Sequence, residues 1–174
     1  MSPASAPHPG YRPCAGVALV NKSGEAFVGR RRKERAAPMP GHEWQMPQGG
    51  IDAGEEPLAA ALRELYEETN VRSATLLAEA QEWLAYDLPE DARARFGGRY
   101  RGQTQKWFLF RLTGSESEID VHHPAAGAHE AEFDDWRWER FERLPDIVVP
   151  FKRDVYIIVS AAFAPLARRP AESR

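Results

Sequence analysis

Apolar residues recur along this chain with two different periods, and each period predicts one kind of secondary structure. Short apolar or alternating runs bounded by turn residues predict strands, whereas a spacing of three and four residues predicts a helix with one apolar face. A turn at residues 21–24 joins the first two strands into a hairpin. The predicted strands are residues 14–20, 26–30, 44–46, 75–86, 104–112 and 133–141, and the predicted helices are residues 57–69 and 151–166.

The arrangement of these elements predicts the fold class. Strands interleaved with two helices, without an internal repeat, indicate an α/β protein: a three-layer α/β/α sandwich around a mixed β-sheet. One domain is expected at residues 11–167, between a disordered Pro- and Ala-rich tail at residues 1–10 and a C-terminal tail at residues 168–174. The polar connecting segments predict a turn at residues 47–50 and loops at residues 36–41, 88–103 and 113–131.

Composition is typical of a soluble globular protein. Of the 174 residues, 43% are hydrophobic and 28% are charged, and the net charge is −3. No apolar run approaches the length of a membrane span, and the N-terminus lacks the pattern of a signal peptide. Cys14 is the only cysteine, which excludes an internal disulfide and fits a reducing cytoplasm. We therefore expect a cytoplasmic protein, preferably a monomer, with Cys14 as a core residue rather than a nucleophile.

Residues 49–71 carry the strongest chemical signal in the chain. Glu64, Glu67 and Glu68 stand at i, i+3 and i+4, so a helix places their carboxylates on one face. Like charges this close lower helix stability unless a cation offsets them. Hard oxygen ligands suit Mg²⁺ or Mn²⁺. The segment therefore predicts a divalent-cation site, against the alternative of an ordinary solvated acidic face.

The opposite face of the same helix is apolar and predicts its packing side. Pro57 suits the first turn, where its missing N–H is not needed, and Asn70 suits the left-handed residue that ends a helix. The apolar stripe consists of Leu58, Ala61, Leu62, Leu65 and Thr69.

Basic residues concentrate in two segments outside this helix. An acidic cleft that holds metal and is flanked by arginines suits a polyphosphate substrate. For the second segment, an ordinary solvated loop is an equally good interpretation. The two clusters are Arg30, Arg31, Arg32, Lys33 and Arg35, and then Arg93, Arg95, Arg99 and Arg101.

The order of residues 49–71 resembles the Nudix box, Gly-x5-Glu-x7-Arg-Glu-aliphatic-x-Glu-Glu-x-Gly-aliphatic. The match begins at Gly49, places Glu55 and Arg63 at the required spacing, and departs from the pattern only at Asn70, where the family has Gly. Asn tolerates positive φ better than most residues, so we expect the turn to survive. The resemblance implies the Nudix fold and hydrolysis of a nucleoside diphosphate linked to another moiety.

Segments outside the box resemble one Nudix branch, the bacterial RNA pyrophosphohydrolases, which are close to the asymmetric diadenosine-tetraphosphate hydrolases. This resemblance implies metal-dependent removal of pyrophosphate from 5′-triphosphorylated RNA, which leaves a 5′-monophosphate and promotes RNA decay. One alternative is cleavage of a dinucleoside polyphosphate, diadenosine tetraphosphate, to ATP and AMP. Another is an inactive Nudix-fold binding module, which the presence of every box Glu disfavours. The resembling segments are residues 11–13, 27–31, 44–52, 102–108, 132–138 and 148–153.

The resemblance also implies roles in catalysis and metal binding. Glu64 is the best candidate for orienting or deprotonating water, and Arg63 would pair structurally with Glu55. Without the resemblance, Glu132 would be interpreted as a surface residue at a strand end. The implied metal ligands are Glu64, Glu67, Glu68, Glu132 and a backbone carbonyl of Gly49 or Gln48.

Substrate contacts are implied in the same way. Phe151 would stack on the first base, against the alternative of a core aromatic residue at a helix N-terminus. Arg12 would touch phosphate or anchor the N-terminus. The other implied substrate-binding residues are Arg31, Gln45, Tyr86 and Lys152.

Overall fold

The computed structural model describes residues 5–35, 39–95 and 97–169. Its strands are β1 (Arg12–Val20), β2 (Ala26–Arg31), β3 (Trp44–Gln45), β4 (Gln48–Gly50), β5 (Ala74–Glu79), β6 (Leu84–Asp87), β7 (Gly102–Leu112) and β8 (Phe133–Glu139). Its helices are α1 (Pro57–Thr69), α2 (Glu90–Arg95), α3 (Leu144–Ile147) and α4 (Arg153–Ala167). Short 3₁₀ turns lie at Glu116–Glu118, Pro124–Gly127, Phe141–Arg143 and Pro150–Lys152.

The strands form one mixed sheet around a parallel central pair. β1 and β7 run parallel, in register from Arg12 opposite Gln103 to Val20 opposite Arg111. The other strand pairs of the described chain are antiparallel. The main path is β3-β2-β1-β7-β5, and β4 pairs with β1, β6 with β7 and β8 with β2. The predicted mixed sheet is confirmed, and residues 14–20 of β1 form a continuous apolar run because both faces of the strand are covered there.

Helices cover both faces of this sheet. Successive side chains of β7 point to opposite faces. Phe108 joins the core that contains Leu65 of α1, whereas Trp107 joins the core that contains Tyr156 of α4. The rings of Trp107 and Tyr156 meet edge to face, with centroids 5.7 Å apart. The three-layer α/β/α sandwich is therefore confirmed.

Helix α1 begins and ends where its local signals predict. Pro57 occupies the first turn, and Asn70 takes the left-handed conformation (φ 69°) with its N–H donating to the Tyr66 carbonyl oxygen at 2.9 Å. The Asn70 side chain donates to the Glu118 carbonyl oxygen at 3.1 Å and accepts from the Ala126 N–H at 2.9 Å. These bonds offset the cost of a Cβ in this conformation, and they tie the end of α1 to the following loop.

Three segments differ from the sequence-based expectation, and in the first two of them strand pairing overrides the local signal. Gln48–Gly50, expected as a turn, forms β4 against β1. Residues 75–86, expected as one strand region, form both β5 and β6. The long strand β7 explains the division, since its residues 108–112 pair with β5 and its residues 102–105 pair with β6. The loop expected at residues 88–103 contains α2.

Two details of the helices also differ. The C-terminal helix begins at Arg153, so Phe151 and Lys152 lie in the 3₁₀ turn before it rather than in the helix. That turn is closed by the Lys152 N–H, which donates to the Val149 carbonyl oxygen at 3.0 Å. Leu62 is 43% exposed, so the apolar stripe of α1 is narrower than expected.

Parts of the predicted tails and of the loop at residues 36–41 lie outside the described residues, namely residues 1–4, 36–38 and 170–174. Within the N-terminal segment, the His8 backbone N–H donates to Thr104 Oγ1 at 3.3 Å. The domain limits stay a prediction. None of the described helices is long and apolar enough to cross a membrane.

The structure predicts an unreactive cysteine. Cys14 is fully buried on β1, and burial raises the pKa of its thiol to about 11. Without access or thiolate character, a thiol does not attack disulfide reagents. The folded protein should therefore react with Ellman's reagent only as it unfolds, whereas the chain in guanidinium should react at once, as measured by absorbance. A folded-state reaction as fast as that of the unfolded chain would contradict the buried position.

Candidate active site

A cleft of about 460 Å³ lies where β1, β2, β4, α1 and the turn before α4 meet. It gathers residues that are far apart in the sequence, because the central strands and α1 converge at this end of the sheet. Glu55, Arg63 and Glu67 are not among its lining residues. The sequence-predicted residues that line it are Arg12, Arg31, Gln45, Gly49, Glu64, Glu68, Tyr86, Glu132, Phe151 and Lys152.

Two carboxylates of α1 face this cleft from the buried side of the helix. Glu68 is only 8% exposed, and its pKa lies well above the usual value, first because of burial and then because of the nearby Glu64 and Glu132 charges. The Gln48 backbone N–H donates to Glu68 Oε2 at 3.2 Å and partly opposes that rise. Burial likewise raises the pKa of Glu64, against the lowering effect of Arg63. The site therefore concentrates negative charge that is poorly solvated.

Arg63 connects the box residues to one another. Its Nε and Nη2 donate to the two Glu55 carboxylate oxygens at 2.8 and 2.9 Å, and this pairing lowers the pKa of Glu55 to about 2. Nη2 also donates to the Gly50 carbonyl oxygen at 2.8 Å. Nη1 donates to Glu64 Oε1 at 2.8 Å and to Glu67 Oε2 at 3.1 Å. One guanidinium thus fixes α1 against β4.

Glu67 lies at the edge of this arrangement. Its carboxylate contacts Arg63 on one side and His129 Nε2 on the other, at 3.4 Å from Oε1. Glu67 therefore shares a guanidinium nitrogen with Glu64 but does not line the cleft.

Glu132 approaches the cleft from the start of β8 and is held by two arginines. Arg31 Nε lies 3.5 Å from Glu132 Oε1, and Arg35 Nη1 lies 3.0 Å from Glu132 Oε2. Arg35 also contacts Glu130 at 2.7 Å. Sequence reasoning did not assign Arg35 to the site, although its membership of the first basic cluster was a signal. The cleft is therefore lined by both acidic and basic side chains around Glu132.

Lys152 lines the cleft and contacts the side-chain amides of Gln45 and Gln48. Its side chain is buried, and burial followed by the Arg31 charge lowers its pKa to about 8. Its Nζ donates to Gln45 Oε1 at 3.2 Å and to Gln48 Oε1 at 3.3 Å. The Gln48 side chain, which sequence reasoning did not assign, also accepts from Gln105 Nε2. These contacts hold a cationic group in a defined place within a poorly solvated site.

Two aromatic rings, those of Tyr86 and Phe151, lie close to Lys152 in the cleft. The Tyr86 and Phe151 ring centroids are 5.6 Å apart at an interplanar angle of 38°, and Lys152 Nζ lies 5.7 Å from the Tyr86 ring centroid. The Tyr86 hydroxyl donates to Gln103 Oε1 at 2.6 Å, which fixes the orientation of its side chain. Tyr86 is buried and Phe151 is half-buried, so Phe151 has the more accessible ring.

Two glycines allow the charged side chains to approach the backbone. A Cβ on Gly49 would lie 2.1 Å from the Glu64 carboxyl carbon, and a Cβ on Gly50 would lie 2.3 Å from Arg12 Nη2. Only glycine leaves this room. The Gly49-Gly50 pair therefore sets the depth at which a carboxylate and a guanidinium meet β4.

The donor set fits a divalent cation. Glu64, Glu68 and Glu132 raise free energy through mutual repulsion in a buried space, which a cation would relieve. Within the described ranges, no three His, Cys, Asp or Glu side chains already form a compact metal site. Arg63 forms an ion pair with Glu64, and Arg31 and Arg35 form ion pairs with Glu132. A cation would replace those partners at Glu64 and Glu132.

Buried carboxylates, surrounding cations and a neighbouring pair of aromatic rings together suit a phosphoanhydride attached to a nucleoside. This α/β/α sandwich with such a cleft defines a hydrolase of nucleotide polyphosphates. The chain matches the NUDIX domain family over residues 10–157 and belongs to that family, whose members use divalent cations.

Two relatives that share more than half of their aligned residues with this chain are RNA pyrophosphohydrolases. The chain is 54% identical to the RNA pyrophosphohydrolase of Azorhizobium caulinodans. The alignment of 154 residues covers 88% of this chain and 92% of that relative. It is 56% identical to the RNA pyrophosphohydrolase of Mesorhizobium japonicum. That alignment of 161 residues covers 91% of this chain and 92% of the relative.

Solved structures agree with the fold. The E. coli dihydroneopterin triphosphate pyrophosphohydrolase superposes with a TM-score of 0.65 at 18% identity, over 87% of this chain and 98% of that one. A C. elegans Ap4A hydrolase superposes with a TM-score of 0.57 at 21% identity, again over 87% and 98%. At these identities the likeness shows the shared fold.

The contact between Gly49 and Glu64 predicts an activity defect without loss of the fold. In Gly49→Ala the new methyl group displaces the flexible end of Glu64 rather than backbone, so the fold should tolerate it. Under the role that the family resemblance implies for Glu64, a displacement of about 1 Å at its carboxylate costs about 10²-fold in rate, and we expect kcat to fall accordingly. Enzyme kinetics and thermal melting measure the two effects separately.

Gly102→Ala is the matched comparison. There the new Cβ would lie 1.9 Å from the Tyr86 carbonyl oxygen, which is rigid backbone, so the melting temperature should fall sharply. If Gly49→Ala kept its activity, or lost as much thermal stability as Gly102→Ala, the interpretation of Gly49 would be wrong.

Proposed function

We propose that this protein is a Nudix pyrophosphohydrolase that removes pyrophosphate from the 5′-triphosphate end of RNA and leaves a 5′-monophosphate. The observation that carries the proposal is the cleft itself, where Glu64, Glu68 and Glu132 face Arg12 and Lys152 across a space open to solvent. The names of the relatives at more than 50% identity support RNA as the substrate. In this role the protein would act in the cytoplasm as a monomer and promote RNA decay.

Mg²⁺ or Mn²⁺ is the proposed cofactor, because carboxylate and carbonyl oxygens are hard ligands. Glu64, Glu68, Glu132 and the Gly49 carbonyl would hold it, with Glu67 as the outermost ligand because it shares Arg63 with Glu64. A bound divalent cation lowers the pKa of water and neutralises phosphate oxygens.

The protein's own residues account for the remaining steps. The Glu64 carboxylate orients the attacking water and accepts its proton, since it lines the cleft directly against Gly49 of β4. The water oxygen forms a bond to phosphorus as the phosphoanhydride P–O bond breaks, and the leaving pyrophosphate takes the electron pair. Arg12, Arg31 and Lys152 stabilise the negative charge that develops on the phosphates. Phe151 and Tyr86 position the 5′ nucleoside beside them.

Hydrolysis of diadenosine tetraphosphate to ATP and AMP is the alternative that uses the same cleft, because two aromatic rings and a cationic wall would also bind an adenosine polyphosphate. A nucleotide-binding module without activity is disfavoured, since Glu64 and Glu68 both face the cleft. The deciding experiment supplies the purified protein with 5′-triphosphorylated RNA or diadenosine tetraphosphate, with Mg²⁺ or Mn²⁺. Product identification should show released pyrophosphate and 5′-monophosphorylated RNA. Activity on diadenosine tetraphosphate alone would overturn the RNA assignment.

The proposed metal site predicts a specific loss in Glu68→Gln. The amide keeps the shape of the side chain but removes a ligand charge, so kcat should fall by about 10²-fold, the scale of losing one major charge-stabilising group. Chelation should abolish activity, and Mg²⁺ or Mn²⁺ should restore it.

Glu56→Gln is the control for Glu68→Gln. Glu56 precedes the first turn of the same helix, is exposed and makes no side-chain capping bond there. Steady-state kinetics should show normal turnover in this control. Near-normal turnover in Glu68→Gln itself would remove Glu68 from the metal site.

The aromatic pair predicts how the 5′ nucleoside is held. Stacking on an aromatic ring is worth about 1–3 kcal/mol per base, so Phe151→Ala should raise KM for RNA by roughly ten-fold to a hundred-fold. The increase should appear with every 5′ base, because each base has a stacking face. Hydrolysis of inorganic tripolyphosphate, which lacks a base, should hardly change. Equal losses on both substrates would make Phe151 a packing residue and leave Tyr86 as the next candidate.

A further inference from the structure

All of the described non-glycine residues with a positive φ lie at one place in the fold, the end of α1 and the loop beside it. Asn70 has φ 69°, and Ala125 and Ala126 have φ of 53° and 54°. This backbone costs free energy in an L residue and persists only where its surroundings hold it. Alanine has no polar side chain that could offset the cost by a local hydrogen bond. Groups outside the two alanines must therefore hold this turn.

The side chain of Asn70 reaches the turn from the end of α1. Its Oδ1 accepts from the Ala126 N–H at 2.9 Å, and its Nδ2 donates to the Glu118 carbonyl oxygen at 3.1 Å. The Asp120 N–H adds a bond to the Thr69 carbonyl oxygen at 3.0 Å. The end of α1 thus holds the loop at its beginning and again at the strained turn.

His129 directly follows this turn. The Gly127 N–H donates to the His123 carbonyl oxygen and the Ala128 N–H donates to the Ala125 carbonyl oxygen, both at 3.1 Å. Ala125 is also buried, which fixes the turn against the body of the protein. Because only one residue separates His129 from the closed turn, the position of the turn decides where the imidazole ring lies.

The imidazole of His129 contacts a carboxylate of the proposed metal site. Its Nε2 lies 3.4 Å from Glu67 Oε1, and Arg63 Nη1 donates to Glu67 Oε2 at 3.1 Å. Each oxygen of Glu67 therefore has its own partner, and the two partners set the orientation of the carboxylate. Groups that orient a metal ligand in this way typically change metal affinity by about 10- to 100-fold.

We propose that Asn70 is a positioning residue for the divalent cation: its side chain holds the turn at residues 124–127, and the turn places His129 where it orients Glu67. The proposal rests on the proposed function, because Glu67 is there the outermost ligand of the cation. The alternative is that Asn70 only ends α1. Its backbone performs that role, since the Asn70 N–H donates to the Tyr66 carbonyl oxygen at 2.9 Å. A change of the side chain alone therefore separates the two roles.

Asn70→Gly is the variant that makes this separation. Glycine adopts the left-handed conformation freely, so α1 should still end at this residue, whereas both side-chain bonds are lost. Affinity for Mn²⁺ is measured by electron paramagnetic resonance of the free ion, and we expect it to fall by about ten-fold. Hydrogen exchange of the Ala126 amide should become faster. Thermal melting verifies that the variant is folded.

Two changes at His129 test the other end of the connection. His129→Ala should weaken Mn²⁺ binding by about ten-fold as well, because the Glu67 carboxylate loses the same partner. The combined variant Asn70→Gly/His129→Ala should bind no more weakly than either single variant, since residues that act through one contact are not additive. His129→Gln keeps a side-chain N–H that can donate to Glu67 and should restore most of the affinity.

The chain offers a matched control for each change. Asn21→Gly removes the same kind of bonds from the first hairpin, where Asn21 Oδ1 accepts from the Ser23 and Glu25 N–H groups at 2.9 and 3.0 Å. His123→Ala removes an imidazole whose Nδ1 lies 3.4 Å from Asp120 Oδ2, the same distance as in the contact under test. Neither control touches a proposed metal ligand, so both should bind Mn²⁺ normally.

Three outcomes overturn the proposal. The first is normal Mn²⁺ affinity in Asn70→Gly. The second is an Ala126 amide that exchanges no faster in that variant. The third is a combined variant whose loss of affinity equals the product of the two single losses, which would mean that Asn70 and His129 act independently.

A failure of the proposed function gives a different result. If the unaltered protein binds no Mn²⁺, the proposed metal site is wrong and the role of Asn70 is rejected with it. If the unaltered protein binds Mn²⁺ and the variants show the expected losses, but 5′-triphosphorylated RNA is not hydrolysed, the positioning role of Asn70 is kept and only the proposed substrate is wrong.

Discussion

The guanidinium of Arg63 joins helix α1 to strand β4, and the geometry of the site depends on this connection. It donates to Glu55, to Glu64, to Glu67 and to the Gly50 carbonyl oxygen. Without it, carboxylates at helical spacing would repel one another at the edge of a buried cleft. Because β4 pairs with β1, the contact of Arg63 with β4 also fixes α1 relative to the central strands of the sheet. A local motif of charges therefore becomes a fixed part of the fold.

A second constraint acts at the same place, since the box loop can hold no side chain where the charged groups approach. A Cβ on Gly49 would meet the Glu64 carboxylate, and a Cβ on Gly50 would meet Arg12. Charge and shape thus depend on each other: the glycines let Glu64 lie deep, and its depth is what removes it from water and raises its pKa. The same burial makes the Glu64 carboxylate a stronger proton acceptor for water.

The sequence predicts those features whose signals are local. Pro57 and Asn70 mark the two ends of α1, and the spacing of its glutamates identifies the acidic face. Features that depend on distant partners escape such reasoning. Gln48–Gly50 is a strand only because β1 lies beside it, and the division of residues 75–86 into two strands follows from the length of β7. Arg35 reaches the site through Glu132, which is 97 residues away in the chain.

The ion pairs of the cleft have a thermodynamic consequence under the proposed function. Arg31 and Arg35 neutralise Glu132, as Arg63 neutralises Glu64, so acidic and basic groups satisfy one another in the described structure. A cation that binds these carboxylates releases guanidinium groups, and a polyphosphate that binds the guanidinium groups releases carboxylates. Each ligand thereby creates part of the site of the other, and linkage requires the two affinities to rise by the same factor. Under the proposed function, the ion pairs of Glu132 with Arg31 and Arg35 would therefore couple the binding of the phosphates to the binding of the metal.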